Sequence, residues 1–336
     1  MKKKKLYNIA IVGATGLVGQ NFIKVLEEHN YPIGDILMLA SCRSTGKIIP
    51  FLGCDCVVEE LTKNSFKDID IALFSAGGLV SKEFAPYAVN SGAVVIDNSS
   101  QWRMDKDIPL VVPEVNPEDI TLEGIIANPN CSTIQSVIPL KALDLAFGVK
   151  SVLYSTYQAV SGSGQKGIDD LERTLAKEKN TFYPYDISET CIPEIDVFLE
   201  NGYTKEEMKM VNETRKILHR PDLPISATCI RVPVQVGHGV VIQAELEKAF
   251  TVEQIKKTLS AFPGIMLRDD PRNHIYPTST EAKGTDFVYV GRIRKDLRNQ
   301  NSVILYCVAD NVRKGAASNA VQIMDIILKR GSELHD

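Results

Sequence analysis

The sequence predicts an α/β protein with two domains: a doubly wound parallel sheet of the Rossmann type, followed by an α+β domain built on a mixed sheet. At 336 residues the chain is long for a single compact core. In its first third, short apolar runs alternate with helical patterns, whereas after about Cys131 the apolar runs are longer and alternate with polar residues. We therefore expect residues 1–130 with 312–336 to form one domain and residues 131–311 the other.

The first domain is predicted from apolar runs of strand length that are separated by amphipathic stretches. The predicted strands are Tyr7–Val12, Ile36–Ala40, Ile71–Ser75 and Val94–Asp97, and the predicted helices are Leu17–Glu28 and Ser81–Asn90. Strands that alternate with helices imply a parallel sheet covered on both faces.

The second domain has a different pattern. A long helix is expected at Ser132–Phe147, and helices at Gly167–Lys177 and Lys205–Leu218 would cover one face of a sheet. The predicted strands of that sheet are Ser151–Gln158, Ile225–Val234, Val240–Leu246, Phe287–Arg292 and Val303–Val308. A last helix, Gly315–Lys329, is expected to return to the first domain.

Composition and charge exclude several classes of protein. Hydrophobic residues make up 44% of the chain, as in an ordinary globular protein, and a net charge of -4 is too small to imply a nucleic-acid or membrane partner. The lysines at 2–5 are not followed by the apolar core of a signal peptide, so we interpret them as a solvated tail. Since no apolar run approaches about 20 residues, we expect a cytoplasmic protein.

The cysteines predict neither a disulfide framework nor a metal site. There are seven of them, an odd number in a long chain. Cys54 and Cys56 form a Cys-x-Cys pair, but no histidine or second cysteine pair lies nearby in the sequence.

A glycine-rich turn lies between the first strand and the first helix, with the spacing Gly-x-x-Gly-x-x-Gly from Gly13 to Gly19. Glycines let the backbone approach a pyrophosphate, and the helix N-terminus offers free N–H groups to that anion. The strand-turn-helix context is the one that dinucleotide binding requires. The residues expected to contact the dinucleotide are Gly13, Thr15, Gly16, Leu17 and Val18.

The end of the second strand predicts which dinucleotide is bound. Enzymes that prefer NAD usually place Asp or Glu here, whereas this chain continues with Ser41, Arg43 and Ser44. An arginine flanked by serines suits a 2′-phosphate. We therefore predict NADP, the alternative being a surface arginine without a ligand.

Cys131 is the candidate nucleophile. Pro129 and Asn130 precede a long helical pattern, and Asn130 is a good N-cap residue, so Cys131 would lie in the first turn of that helix. A thiolate there is stabilised by the helix dipole and by free N–H groups, which lower its pKa.

His238 is the candidate acid or base. It lies between Gly237 and Gly239, which would allow a ligand or another backbone to approach closely, although the same pattern also suits a turn histidine. His29, His219 and His335 lie at or beyond helix ends, and His274 lies in a proline-flanked loop. A cysteine, a histidine and a nicotinamide together suggest oxidation of an aldehyde through a thioester, which leaves the substrate and the acyl acceptor open.

Motifs along nearly the whole chain resemble the aspartate-semialdehyde dehydrogenase family. They are the segments 13–19, 98–104, 111–116, 128–133, 158–164, 231–234, 237–239 and 314–317. The resemblance implies a homodimer or homotetramer that interconverts L-aspartate 4-semialdehyde, inorganic phosphate and NADP⁺ with L-4-aspartyl phosphate and NADPH. Residues 1–130 with 312–336 would then bind NADP, and residues 131–311 would catalyse the reaction and dimerise.

The resemblance also implies roles for individual residues. Cys131 would be the nucleophile and His238 the general acid/base, while Gln158 would orient the thioester. Arg231 would bind the substrate α-carboxylate, and Glu206 the amino group. Phosphate would be bound by Lys209 and Arg103, with Asn130 assisting. The residues beside the nicotinamide would be Ser161, Gly162 and Asn311. A surface ion pair is the structural alternative for Glu206 and Lys209, which are three residues apart on one predicted helix, and Glu207 is an adjacent alternative to Glu206.

Three other interpretations compete with this one. Glyceraldehyde-phosphate-type dehydrogenases use similar chemistry, but their usual Ser-Cys-Thr-Thr-Asn motif and acidic NAD-binding residue are absent here. N-acetyl-γ-glutamyl-phosphate reductases share the layout and the chemistry, but their cysteine motif differs from the one around Cys131. A non-catalytic NADP-binding paralogue would keep the glycine turn and lose the reactive groups, whereas Cys131, Gln158, Arg231 and His238 are all present.

Overall fold

The computed structural model describes residues 6–333, so the lysine tail at 2–5 and His335 lie outside the described residues. The chain forms two compact units. One runs up to Pro129 and resumes at Ala316, and the other spans Asn130–Gly315.

A six-stranded sheet organises the first unit, with the order β5-β2-β1-β6-β7-β8 and every pair parallel. Its strands are β1 Tyr7–Val12, β2 Ile33–Ala40, β5 Glu59–Glu60, β6 Ile71–Phe74, β7 Val94–Asp97 and β8 Ile125–Ala127. A separate hairpin pairs β3 Ile48–Phe51 with β4 Cys54–Val57. Helices α1 Leu17–Glu28 and α2 Gly78–Asn90 connect strands of the large sheet.

The parallel sheet is buried on both faces. Along β1, Ile9 and Ile11 belong to one apolar cluster, whereas Ala10 and Val12 belong to another, as the period of two in a strand requires. Phe22 and Leu26 of α1 lie in the first cluster, and Ala85 of α2 lies in the second. The prediction of a doubly wound parallel sheet is therefore confirmed.

The second unit is built on a mixed sheet, with the order β10-β9-β11-β14-β13-β12. Its strands are β9 Val149–Gln158, β10 Ile225–Arg231, β11 His238–Leu246, β12 Ile265–Leu267, β13 Val288–Lys295 and β14 Ser302–Ala309. Two pairs, β10–β9 and β12–β13, are parallel and the other three are antiparallel. The helices are α3 Cys131–Phe147, α4 Gln165–Leu175, α5 Lys205–Ile217, α6 Val252–Ser260 and α7 Ser279–Ala282. This arrangement confirms the predicted mixed sheet.

Several predicted element ends were wrong, among them the start of β2 (expected at Ile36), the start of α2 (expected at Ser81) and the end of β13 (expected at Arg292), and two further differences have a clear physical reason. The strand expected to run to Val234 ends at Arg231, and Pro233, which has no N–H for a ladder hydrogen bond, follows two residues later. The last helix, α8 Ser318–Glu333, begins three residues after the expected Gly315, because Arg313–Ala317 forms a π-helical turn. Ala320, Ile323 and Met324 of α8 lie in the same apolar cluster as β1 and α1.

Within residues 6–333, no helix is both long enough and apolar enough to cross a membrane.

Candidate active site

Cys131 is the first residue of α3, as the N-cap prediction required. The side chain of Asn130 caps the helix by accepting hydrogen bonds from the backbone N–H groups of Ser132 (3.0 Å) and Thr133 (3.3 Å). A Cβ atom at Gly315 would lie 3.0 Å from the Cβ of Cys131, so the backbone at Gly315 packs directly against the cysteine. The thiol is therefore held at the positive end of the helix dipole.

Two carboxylates on α5 fix the residue that precedes Cys131. Glu213 accepts the backbone N–H of Asn130 at 2.7 Å. Glu206 accepts from the side-chain amide of Asn130 at 2.9 Å and from that of Gln158 at 3.0 Å. Glu206 and Glu213 are seven residues apart, which places them two turns apart on one face of the helix. This face anchors the N-terminus of α3 and the end of β9.

Glu206 and Lys209 form an ion pair in which Glu206 is buried and the Lys209 side chain is 25% exposed. The exposed fraction of the Glu206 side chain is only 6%, and Lys209 Nζ lies 3.0 Å from its carboxylate. Burial alone would raise the pKa of Glu206, but the charge of Lys209 and the amide hydrogen bonds outweigh it and hold that pKa at about 2. Lys209 Nζ also lies 2.9 Å from Asp196. Glu206 is therefore ionised at neutral pH.

His238 is fully buried at the start of β11, and its ring has a defined tautomer. Its Nδ1 accepts the backbone N–H of Ala159 at 2.9 Å, so the neutral ring carries its proton on Nε2. Nε2 is buried and has no hydrogen-bond partner among the described residues. Burial, and then the charge of Arg231, lower the pKa of His238 to about 3. A neutral imidazole thus offers one unsatisfied N–H donor.

Arg231 ends β10 and is buried beside His238. Its Nη1 donates to the carbonyl of Ala159 at 2.7 Å, while its Nε is buried and has no partner among residues 6–333. A Cβ at Gly162 would lie 2.8 Å from Arg231 Nη1 and 3.1 Å from His238 Nε2. Only a glycine therefore allows the backbone to pass this close to both side chains, and a buried cation with a spare Nε donor suits a small anionic ligand.

The buried neutral state of His238 predicts how stability changes with pH. The pKa of His238 is lower in the folded protein than in the unfolded chain, where it is roughly 6.5. Below pH 6.5 the histidine is therefore protonated in the unfolded chain while it stays neutral in the folded protein. Stability should therefore fall as the pH falls. The loss from this group between pH 6.5 and 5 should be about 1.5 kcal/mol.

Urea unfolding of the wild type and of His238→Asn at both pH values tests this expectation. Asparagine keeps an acceptor for the Ala159 N–H but does not titrate, so the variant should show a smaller loss over this range. Equal losses in both proteins would contradict the burial of a neutral His238.

The glycine-rich turn of the first unit fits a dinucleotide. Gly13 has a φ of +91°, and a Cβ there would lie 3.0 Å from the backbone of Ser75. A Cβ at Gly19 would lie 2.2 Å from the carbonyl oxygen of Gly13. Gly16 caps α1 without any side-chain hydrogen bond. The turn is thus compact, and its helix N-terminus offers backbone donors to an anion.

The residues predicted to select the nucleotide follow β2 in a short 3₁₀ turn, Cys42–Ser44. Arg43 is exposed and makes no hydrogen bond or ion pair with any residue that the structure describes. The hydroxyls of Ser44 and Thr15 are 3.5 Å apart, which brings this turn next to the glycine-rich turn. A free guanidinium beside the predicted pyrophosphate site suits a second phosphate group.

Two further groups of predicted residues are each held in place within their own unit. Ser161 and Asn311 are hydrogen-bonded through their side chains, and Asn311 also accepts the N–H of Gly237, next to His238. In the first unit, Arg103 is buried and donates to the carbonyls of Asn98 and Asn128, both at 2.9 Å.

The structure brings two sets of predicted residues together in the second unit. One contains Asn130, Gln158, Glu206 and Lys209, and the other contains Gly162, Arg231 and His238. The sequence analysis missed Gln135, Ala159, Asp196 and Glu213. The spacing of Glu213 from Glu206 could have indicated that both carboxylates lie on one face of α5. Gln135 lies one turn into α3 and donates to the carbonyl of His238 at 2.8 Å. Nothing local marks Asp196.

Comparison with known proteins gives matches over almost the whole chain. A family model described as semialdehyde dehydrogenase, NAD binding domain, matches residues 8–123, and one described as semialdehyde dehydrogenase, dimerisation domain, matches residues 140–314. The aspartate-semialdehyde dehydrogenase of Aquifex aeolicus is 53% identical over 97% of this chain and 99% of its own. That of Bacillus subtilis is 48% identical over 96% and 97%.

Solved structures match as well. The aspartate semialdehyde dehydrogenase II of Vibrio cholerae complexed with ASA has a TM-score of 0.93 at 44% identity, covering 97% of this chain and 99% of that one. The aspartate semialdehyde dehydrogenase of Candida albicans with NADP has a TM-score of 0.79 at 28% identity, with the same coverage.

Proposed function

The chain belongs to the aspartate-semialdehyde dehydrogenase family and is an oxidoreductase of amino-acid biosynthesis; we propose that it uses NADP to interconvert L-aspartate 4-semialdehyde and L-4-aspartyl phosphate. The observation that carries this proposal is the buried pair of unsatisfied donors, Arg231 Nε and His238 Nε2, in the unit that holds Cys131. An anion and a developing oxyanion would satisfy them. Biosynthesis would use the reductive direction, toward lysine, methionine, threonine and isoleucine.

Cys131 carries the covalent step in this proposal. Its thiolate adds to the aldehyde carbon and forms a thiohemiacetal. Conversion of the thiohemiacetal into a thioester requires loss of a hydride, and NADP⁺ would supply the hydride acceptor when bound. Inorganic phosphate then attacks the thioester carbon, which breaks the carbon–sulfur bond, releases L-4-aspartyl phosphate and returns the Cys131 thiolate.

His238 supports these steps through its Nε2 proton. Because Nδ1 accepts the Ala159 N–H, the ring donates a hydrogen bond from Nε2 to the substrate oxygen while negative charge develops there. To act as a base at Nε2, the ring would have to break the hydrogen bond from Ala159. The geometry of the described structure therefore favours the donor role over the base role.

The remaining polar residues orient the substrate. Arg231 would bind the α-carboxylate, Glu206 the α-ammonium group, and Gln158 the acyl oxygen of the thioester. Inorganic phosphate would be bound by Arg103, Asn130 and Lys209. Arg103 and Lys209 are cations, which this task requires, although Lys209 is already paired with two carboxylates.

NADP is the dinucleotide that the residues of the first unit fit. Gly13, Thr15, Gly16, Leu17 and Val18 would hold the pyrophosphate at the start of α1. Ser41, Arg43 and Ser44 would hold the 2′-phosphate. Ser161, Gly162 and Asn311 would contact the nicotinamide side.

Arg43→Glu should change the choice of dinucleotide. A carboxylate would repel the 2′-phosphate, so kcat/KM with NADP should fall by about 10- to 100-fold while the value with NAD changes little. Steady-state kinetics with both dinucleotides measure the effect. Lys24→Glu, an equal charge change on the exposed face of α1, is the matched control. Equal losses with both dinucleotides would argue against a 2′-phosphate site at Arg43.

We also propose a cytoplasmic homodimer, or a homotetramer built from such dimers. Support comes from the match of residues 140–314 to a family model for a dimerisation domain. In addition, Leu153 and Tyr157 remain 42% and 40% exposed on one face of the mixed sheet, where a second copy could cover them. Light scattering of the purified protein gives its mass in solution and tests this proposal.

The reaction itself is tested by phosphate-dependent reduction of NADP⁺. Activity with L-aspartate 4-semialdehyde but not with N-acetylglutamate semialdehyde is the expected result. Activity with the acetylated aldehyde alone would assign the protein to the rival reductase chemistry, and activity with neither would leave a dinucleotide-binding protein.

A further inference from the structure

Lys209 is shared by two carboxylates, of which the sequence analysis identified only one. Its Nζ lies 3.0 Å from Glu206 and 2.9 Å from Asp196. Burial alone would raise the pKa of Asp196, but Lys209 and the backbone N–H of Val197 outweigh it and hold that pKa below its usual range. The three side chains, which we call the Lys209 cluster, therefore carry one positive and two negative charges at neutral pH.

The Lys209 cluster adjoins the residues proposed to bind the amino-acid end of the substrate. Glu206 accepts from Gln158, which is the register partner of Arg231 in the parallel pair β9–β10. Asp196 lies on the segment 182–197, which pairs with the end of β10 through two backbone hydrogen bonds between Ile192 and Arg231, at 2.8 and 2.9 Å. The same segment thus contacts Arg231 through its backbone and Lys209 through a side chain.

The charge of the cluster depends on Asp196. With the Glu206–Lys209 pair alone, the net charge would be zero and a nearby ammonium group would gain little attraction. With Asp196 the net charge is −1. The Asp196 side chain is 33% exposed, so its negative charge is not fully enclosed by protein.

We propose that Asp196 is a specificity-determining residue, which keeps the Lys209 cluster net negative and thereby selects aldehydes that carry a free α-ammonium group beside the α-carboxylate. The proposal rests on the proposed function, because it concerns the same site and substrate. An α-carboxylate on Arg231 places the α-ammonium group one carbon away, where the negative cluster would attract it. An acylated or absent amine would gain nothing from that charge.

Asp196→Asn tests the proposal. The residue has a φ of +68°, a conformation that asparagine also tolerates, so the backbone should be kept while the charge is removed. The probes are L-aspartate 4-semialdehyde and succinate semialdehyde, which differ by the ammonium group. We expect kcat/KM for the first to fall by about fivefold, mainly through KM, and the value for the second to stay constant.

Two further measurements make the result decisive. L-aspartate and succinate also differ by the α-ammonium group, so competitive inhibition by each compares binding with and without that group in the absence of turnover. The ratio of their inhibition constants should change by about the same factor as the ratio of the kcat/KM values for the two aldehydes. Glu194→Gln, which removes an exposed negative charge two residues away on the same segment, should leave both ratios unchanged.

The outcomes separate this inference from the proposed function. If the variant loses efficiency with both aldehydes equally, or if the KM for phosphate rises equally with both, Asp196 only positions Lys209 and the inference is wrong. Unchanged ratios would also overturn it. If the wild type shows no activity with L-aspartate 4-semialdehyde, the proposed function itself fails.

Discussion

Cys131→Ser is expected to lower the turnover of L-aspartate 4-semialdehyde by about a thousandfold or more, because a serine hydroxyl is not ionised near neutral pH. The helix N-terminus that holds residue 131 stabilises an existing thiolate, but it cannot ionise an alcohol with a far higher pKa. Steady-state rates at saturating phosphate measure the effect. Since Cys131 is only partly buried and the change is isosteric, the fold should be retained.

Cys191→Ser is the matched control, because Cys191 is an exposed cysteine of the same unit and is not one of the proposed site residues. It should keep full activity. Peptide mapping after brief treatment with iodoacetamide at pH 7 should show Cys131 labelled before the other six cysteines. A Cys131→Ser enzyme within tenfold of the wild type, or first labelling at another cysteine, would remove Cys131 as the nucleophile.

Arg231→Leu is expected to lower kcat/KM for the aldehyde by about 30- to several thousandfold, equivalent to roughly 2–5 kcal/mol of transition-state binding. The guanidinium is buried, uses Nη1 for the carbonyl of Ala159 and keeps Nε for a ligand. Leucine fills much of the same space but leaves a bound carboxylate without a partner. The measurement is a full kinetic comparison with L-aspartate 4-semialdehyde.

Arg231→Lys separates charge from geometry. Lysine keeps the positive charge but cannot form a bidentate pair, so an intermediate loss is expected. Thermal melting of both variants shows whether the fold survives the loss of the Ala159 contact. Unchanged catalytic efficiency in a folded Arg231→Leu enzyme would exclude Arg231 from the substrate site.

Local features of the site could be predicted from the sequence because their physical signals span only a few residues. The glycine-rich turn is defined by a strand, three glycines and a helix within 22 residues, from Tyr7 to Glu28. The capping of α3 by Asn130 depends on the residues that directly follow it. Both features depend on residues close together in the sequence, and the structure has both as predicted.

Contacts made by distant segments could not be predicted. Ala159 supplies a hydrogen-bond partner to both Arg231 and His238, which are 72 and 79 residues away, and it does so through its backbone, which leaves no mark in the sequence. Asp196 meets Lys209 because an extended segment without a helix or strand crosses the end of β10. Such pairings depend on tertiary packing.

Several short elements were also missed. Strands β5, β8 and β12 contain only two or three residues, too few for a periodic pattern. Helix α6 did carry a usable signal, since Thr251 and Gln254 form a capping box at its start. The segment 182–197 contains no named helix or strand.

The central claim is that the aldehyde is oxidised through a thioester on Cys131, and intact-protein mass spectrometry tests it most directly. The enzyme is mixed with L-aspartate 4-semialdehyde and NADP⁺ without phosphate. We predict a burst of one NADPH for each catalytically competent site, together with an added aspartyl group that maps to Cys131 and that phosphate releases as the acyl phosphate. Full turnover in phosphate with no acyl group on Cys131 under any quenching condition would contradict the account.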